Sequence, residues 1–307
     1  MGGSGGGSSY ISPGQDLDAV RREIKAALES QEREAEVNEF LSEQLAGINS
    51  RDIELTRERL EALQEALADY AVDVDRLLFG GSVAKHTYVD GLSDVDALVV
   101  VKEPDASPAD LVQRFADGIR SKLSMGDVES ITSGHLAVTI HYRDGSQVQL
   151  LPAVERDGHT SVPSWSGSTW KRIRPHKFAE KLTKVNGENG NAVVPTIKLA
   201  KSLMQTALPE ASRLSGYHIE AIAVAAFEGY SERRDRASML KHLIQSASRA
   251  VLRPTGDITG QSVHIDSHLG SALSAERVRI GRDLGNLSRR LDSSSSASEY
   301  RALFGAD

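Results

Sequence analysis

The sequence predicts an α+β protein of two lobes, a mixed β-sheet lobe followed by a helical one. Three observations lead there. A charged amphipathic helical pattern opens the chain over residues 16–47. Short apolar runs bounded by Gly, Pro, Asp and Ser then fill residues 77–151. Beyond residue 165 the apolar positions recur mostly at helical spacing. The chain has 307 residues and is 39% hydrophobic, ample for one large core or two packed lobes.

Residues 1–9, MGGSGGGSS, are Gly/Ser-only after the methionine and are expected to be disordered. Val20, Ile24, Leu28, Val37, Phe40, Leu41, Leu45 and Ile48 read as an apolar stripe on the first helix, which Asn49-Ser50 breaks. A second helix, 51–70, carries Ile53, Leu60, Leu63, Leu67 and Tyr70 on one face, and both helices are expected to brace the sheet lobe. The apolar runs Leu77–Phe79 and Ala97–Val101 read as strands. Ser107-Pro108 starts a helix to residue 123. Leu136–Tyr142 alternates, turns at Arg143-Asp144-Gly145-Ser146, and returns as Gln147–Leu151, which Pro152 is expected to stop. Helices follow near 175–185, 193–207, 215–230, 235–250 and 275–291. Ser293–Ser296 reads as a flexible linker and Tyr300–Phe304 as a short docking turn. The expected division is therefore a disordered tail 1–9, a lobe 10–165 with the N-terminal helices and sheet, a helical lobe 166–292, and a flexible tail 293–307.

Net charge is −7, unevenly spread: residues 10–75 hold 17 acidic and 7 basic side chains, or −10, which leaves about +3 elsewhere. Residues 171–202 carry eight Lys/Arg against two Glu, enough for a local basic wall but not for a surface that grips long nucleic acid. There are no cysteines, so no disulfide and no thiolate metal site. No window matches a membrane span and no signal peptide is visible, so a cytoplasmic protein without membrane partners is expected.

Phe79–Val101, FGGSVAKHTYVDGLSDVDALVVV, concentrates the chemistry. Gly80-Gly81-Ser82 after a strand is a phosphate cradle, because its glycines let backbone N–H groups approach an anion. In Asp94-Val95-Asp96 the strand period of two puts both carboxylates on one face, suited to Mg²⁺ shared with substrate phosphates. Each piece alone is common as a turn or a solvated strand edge. In this order, between two apolar strands, they read as the anchor of two-metal phosphoryl or nucleotidyl transfer.

The stretch resembles the signature of the polymerase-β-like nucleotidyltransferase superfamily: hydrophobic-Gly-Ser, a spacer, then Asp-hydrophobic-Asp. LFGGSVAKHTYVDGLSDVDALVVV, LLPAV, VPTIKLAK, LSGYHIEA and DITGQSVHID together are similar to bacterial cyclic-oligonucleotide synthases of antiphage signalling systems, from about Asn38 to His268. The resemblance implies a two-lobed polymerase-β-like fold in which Asp94 and Asp96 hold two Mg²⁺, or Mn²⁺, and a helical lobe closes the cleft. It implies nucleoside triphosphates as substrates, a cyclic di- or trinucleotide as product, a separately encoded effector that the product activates, and accessory regulators. A third carboxylate is usual, on a strand reading Asp-hydrophobic-hydrophobic-Pro. Here Gln149-Leu150-Leu151-Pro152 puts an amide there, which coordinates Mg²⁺ but neither carries charge nor acts as a base. Either the clade works with an amide, or Asp144 or Glu155 fills in, or the site is inactive. The resemblance further assigns Gly81, Ser82, Lys198, Lys201, Ser215 and Tyr217 to the nucleotide: lysines on one helix for phosphate, Tyr217 for the base, and Ser215 in place of a serine that this chain lacks at Gly216. The plain alternatives are a packed aromatic and ordinary surface lysines.

Four further features have structural alternatives of equal simplicity. Thr87 supports the Ser82 cradle or packs. Asp257–Ser262 touches nucleotide or forms a turn. Trp165 and Trp170 line the cleft or pack. His264 and His268 are four apart, but no third ligand stands near, which argues against zinc. Two rival functions remain: transfer of a nucleotide to a protein, small molecule or RNA end, and nucleotide binding by a degraded site.

Overall fold

The computed structural model describes residues 17–48, 53–69, 74–79, 95–102, 105–123, 126–156, 158–164, 166–257 and 263–306. Gly81, Ser82, Thr87, Asp94, Trp165 and the Ile258–Ser262 part of the loop lie outside them. The elements are α1 (Leu17–Ile48), α2 (Ile53–Asp69), β1 (Val74–Phe79), β2 (Val95–Val101), α3 (Pro108–Lys122), β3 (Val128–Ser133), β4 (Val138–Tyr142), β5 (Gln147–Arg156), β6 (His159–Pro163), β7 (Trp170–Arg172), α4 (Pro175–Glu188), α5 (Val193–Ala207), α6 (Gly216–Phe227), α7 (Arg236–Ala250), α8 (Ala275–Ser293) and α9 (Ala297–Phe304). Among the described residues no helix is long and apolar enough to cross a membrane.

The sheet is mixed, as expected. Its strand order is β1-β2-β5-β4-β3, with β2 and β5 parallel and the other neighbours antiparallel. One face carries Ala97, Val99, Val101, Val138, Ile140, Val148, Leu150 and Val154, and packs on Leu60, Leu63 and Leu67 of α2 and Leu111, Phe115 and Ile119 of α3. Ser107 starts α3 by accepting the Asp110 N–H at 3.2 Å, with Pro108 in the first turn, where its missing N–H costs nothing. β3, β6 and β7 were not foreseen as separate strands. Ser, Thr, His, Glu, Lys and Arg dominate them, and only their neighbours hold them extended.

Pro152 does not stop β5. It stands opposite Val99 of β2, and on its other side β4 pairs only as far as Leu150 while β6 begins at Val154. The strand changes partner at the proline, so no ladder bond on that side needs its N–H.

The stripe read along α1 is two stripes. Val37, Phe40, Leu41 and Leu45 are buried in the helical core, while Ile24 and Leu28 are 56% and 55% exposed. At 100° per residue the two groups point roughly 140° apart, so one helix face cannot bury both. α1 also braces the helical lobe rather than the sheet: its buried residues join Ile197, Leu203, Leu243 and Phe304 in one core, whereas α2 joins the sheet core.

The C-terminal segment, expected to be a flexible tail with a docking turn, is the helix α9. Ser296 and Glu299 form a reciprocal capping box at its start, and Tyr300, Leu303 and Phe304 are buried against α1 and α5 residues. Phe304 meets Phe40 edge-on at 5.7 Å between centroids. Serines at 293–296 looked like a linker, yet one ends α8 and another caps α9.

Candidate active site

The parallel ladder sets Asp96 opposite Gln149. Gln149 stands opposite Thr139 of β4, and Thr139 opposite Thr132 of β3. Register partners share a sheet face, so these four positions form one polar row on the face away from α2 and α3. Farther along that face Leu98, Val100 and Ala153 pack against Val162 of β6. The face is thus apolar near β6 and polar where Asp96 and Gln149 stand. The Gln149 amide is half-buried, and its Nε2 donates a long bond of 3.4 Å to Thr139 Oγ1, which leaves the carbonyl oxygen to accept.

Neither suggested substitute supplies a carboxylate beside Gln149. Asp144, in the β4–β5 hairpin, is held from α2: Arg59 Nη1 donates to it at 2.9 Å and Ser146 Oγ at 2.7 Å. Burial acts to raise Asp144, but these hydrogen bonds and the Arg59 charge outweigh it and keep the carboxyl below its ordinary range. The same guanidinium lies 3.9 Å over the Tyr142 ring, whose hydroxyl burial pushes up to about 12. Glu155 shares the face of Gln149 but stands six strand residues on, about 20 Å away.

On the helical side, Lys201 of α5 is buried, and its Nζ donates to Glu220 Oε1 of α6 at 2.9 Å. Gly216 lies against it: a Cβ there would come within 3.2 Å of Lys201 Nζ. The missing serine at 216 and the buried lysine are therefore one packing arrangement. Lys198 is half-buried, one turn earlier on α5. Ser215 is the N-cap of α6, its Oγ accepting the His218 N–H at 3.2 Å, so the residue assigned to phosphate also starts the helix.

Tyr217 is fixed from two sides. Phe178 of α4 lies 4.9 Å away between ring centroids, and the Tyr217 hydroxyl donates to Asp257 Oδ1 at 3.1 Å. Beneath it is a buried network that sequence reasoning missed. Arg277 of α8 is fully buried and donates to Asp266 Oδ2 at 2.7 Å and to the carbonyls of Val251, Arg253 and Gly270. Asp266 Oδ1 accepts the Thr255 N–H at 3.0 Å. His218 Nε2 lies 3.3 Å from both Thr255 Oγ1 and Asp266 Oδ2. Burial drives His218 down to about 4 despite the neighbouring carboxylate, so the imidazole is neutral near pH 7. Burial would raise Asp266, but the Arg277 and Thr255 hydrogen bonds and the His218 and Arg277 charges hold it low. Arg277 thus ties both ends of the Arg253–Gly270 loop, and with it Asp257. Nothing in the sequence sets this arginine apart from the five other arginines between 277 and 301, since burial has no local signature.

Trp170 packs rather than lines a cleft: its Nε1 donates to the Ala106 carbonyl at 2.9 Å and its ring lies against the sheet core. His264 sits in an isolated bridge with Gly256 and His268 in a 3-10 turn, and no group of three His, Cys, Asp or Glu suited to a metal occurs among the described residues. The donors at the polar end of the sheet, the Asp96 position and an amide oxygen beside it, with Asp94 two residues away in sequence, are the hard oxygen chemistry that magnesium takes.

Residues 32–186 match the family model of the Second Messenger Oligonucleotide or Dinucleotide Synthetase domain. Over 120 residues the chain is 28% identical to a cyclic AMP-AMP-AMP synthase of Escherichia coli (strain MS 115-1), a match spanning about a third of each protein, 36% of the chain and 36% of that relative. Its fold is similar to that of the Bradyrhizobium diazoefficiens CD-NTase CdnG in complex with GTP, with a TM-score of 0.69 at 16% identity over 88% of this chain and 96% of that one. It is also similar to E. coli MS115-1 CdnC in its complex with HORMA-deltaN, with a TM-score of 0.64 at 15% identity over 87% and 96% of the two chains.

Proposed function

The chain belongs to the Second Messenger Oligonucleotide or Dinucleotide Synthetase family, and from that premise we propose that it is a template-independent nucleotidyltransferase that makes a cyclic di- or trinucleotide from nucleoside triphosphates. The observation that carries the proposal is the Asp96–Gln149 register in the polar row of the sheet.

Asp94, Asp96 and the Gln149 carbonyl would hold magnesium, two ions or manganese in their place, which when bound neutralises the phosphates and clamps the attacking and leaving oxygens. Gly81 and Ser82 present backbone N–H and hydroxyl donors to the triphosphate. Lys198 and Ser215 bind phosphate from the helical side, and Lys201 acts there as a charge that Glu220 holds in place. Tyr217, fixed by Phe178 and Asp257, presents its ring to a base, a contact that needs no sequence code. Gln149 positions the acceptor side of the site without taking its proton, so the hydroxyl proton leaves to solvent or to an acceptor phosphate oxygen. The CdnC complex with HORMA-deltaN supports accessory regulators for this chain too. A separately encoded effector that responds to the product, and an antiphage role in the cytoplasm, complete the reading.

Incubation of the purified chain with radiolabelled triphosphates and Mg²⁺ or Mn²⁺ tests it. A phosphatase-resistant small product is expected. A labelled macromolecule would point instead to transfer onto a protein or RNA end. Binding without any product would favour a degraded site, the reading that Gln149 supports.

A further inference from the structure

The first half of α1 carries a feature that nucleotide chemistry does not use. Every residue from Arg21 to Glu36 is exposed, including the apolar Ile24 and Leu28, one turn apart. Val20 precedes Ile24 by four residues in the sequence. This stripe points roughly 140° away from the face that α1 buries, so no closer docking of the helix on its own body would cover it. Glu34, nearer the body side, already pairs with Arg233 at 3.0 Å.

Charge is segregated along the same stretch. Residues 17–26 carry three basic and two acidic side chains, or +1, and residues 27–36 carry one basic and four acidic, or −3. We propose that this stretch of α1 pairs antiparallel with the same stretch of a second copy of the chain. Antiparallel pairing sets the basic half of one helix beside the acidic half of the other, whereas parallel pairing would align like with like. With the two-fold axis at residue 26, Ile24 meets Leu28 of the other copy, and two apolar layers form. At 100° per residue Arg21, Lys25, Glu32 and Glu36 share one flank of the stripe, about 60–120° from Ile24. Like flanks face each other in an antiparallel pair, so Arg21 comes within one residue, about 1.5 Å of rise, of Glu32 of the other copy, the arrangement by which flanking charges set partner and orientation. The paired segment is 20 residues, about 30 Å, and the two bodies sit at its opposite ends. So short a seam makes a reversible dimer rather than an obligate one.

Sedimentation velocity of the full chain, from low micromolar to several hundred micromolar, tests this. A concentration-dependent monomer–dimer equilibrium is expected. Ile24→Glu with Leu28→Glu should weaken it by about tenfold or more, with helix content by circular dichroism unchanged because both sites are exposed. Arg21→Glu or Glu32→Arg alone should weaken association severalfold, and the two together should restore it. A chain that stays monomeric throughout, a dimer that survives the double glutamate variant, or charge reversals that do not rescue each other would overturn the proposal.

Discussion

Gln149 stands directly beside Asp96 in the parallel ladder, at the position where the family resemblance places a third carboxylate. Its amide donates to Thr139, a residue on the same polar face, while Asp144 and Glu155 are placed elsewhere. The amide is thus built into the row rather than compensated from a distance.

Gln149→Asp reads out that arrangement. General-base assistance contributes about 10²–10⁴-fold where geometry permits. A site adapted to the amide should gain little Mg²⁺-supported synthesis, or lose some, because its acceptor is already placed another way. We expect that outcome in initial-rate assays with Mg²⁺ and with Mn²⁺. A hundredfold rise would identify an impaired copy instead.

Asp96→Asn is expected to abolish product formation while the melting curve stays close to wild type. Metal clamping is worth several kcal/mol of transition-state stabilisation, and Asp96 stands outside the apolar sheet core. Wild-type turnover in this variant would remove the strand from the chemistry.

The Lys201–Glu220 pair should behave as a buried salt bridge. Glu220→Leu alone removes the carboxylate that the buried Lys201 ammonium donates to and should cost about 3–5 kcal/mol, whereas Lys201→Met with Glu220→Leu should recover most of that. Urea denaturation of the three variants checks the non-additivity. If Lys201 also serves phosphate, the double variant will be stable and yet bind triphosphate weakly.

Tyr217→Ala should raise the triphosphate KM by roughly 5–150-fold, the 1–3 kcal/mol of a base–aromatic stack. Tyr217→Phe keeps the ring and loses the bond to Asp257, so it should cost about 1 kcal/mol. Equal KM values for wild type and the alanine variant would return this tyrosine to a packing role.

Stability should fall between pH 6.5 and pH 4 through His218. Its folded value of about 4 lies below the ordinary imidazole value, so the unfolded chain binds more protons in that window and stability declines as pH drops. The full effect is on the order of 3 kcal/mol. Urea midpoints measured across the window for wild type and His218→Asn should show the slope flattening in the variant.

Where local pattern decides structure, the sequence was readable. α5 and the spans of α3, α6, α7 and α8 follow from apolar spacing, with the Ser107-Pro108 start marking α3. What failed depended on distant partners. Pro152 continues a strand because two other strands trade places beside it, and α1 splits its apolar residues because its two halves have different surroundings. The Asp96–Gln149 adjacency was legible as motif spacing. The support under Tyr217 was not, since Asp266 and Arg277 have no meaning until the Arg253–Gly270 loop brings them together.

The separation of the two cores has one more consequence. The chain crosses from the helical core to the sheet core between α1 and α2, and back again between β7 and α4. The sheet core is made from one uninterrupted piece of sequence, but the helical core is not: it needs residues 37–48 together with residues that follow 175. A ribosome therefore delivers the sheet complete while Val37, Phe40 and Leu41 still wait for their partners beyond residue 175. The sheet lobe is expected to collapse first during synthesis, with α1 held open until the last helices emerge to enclose it.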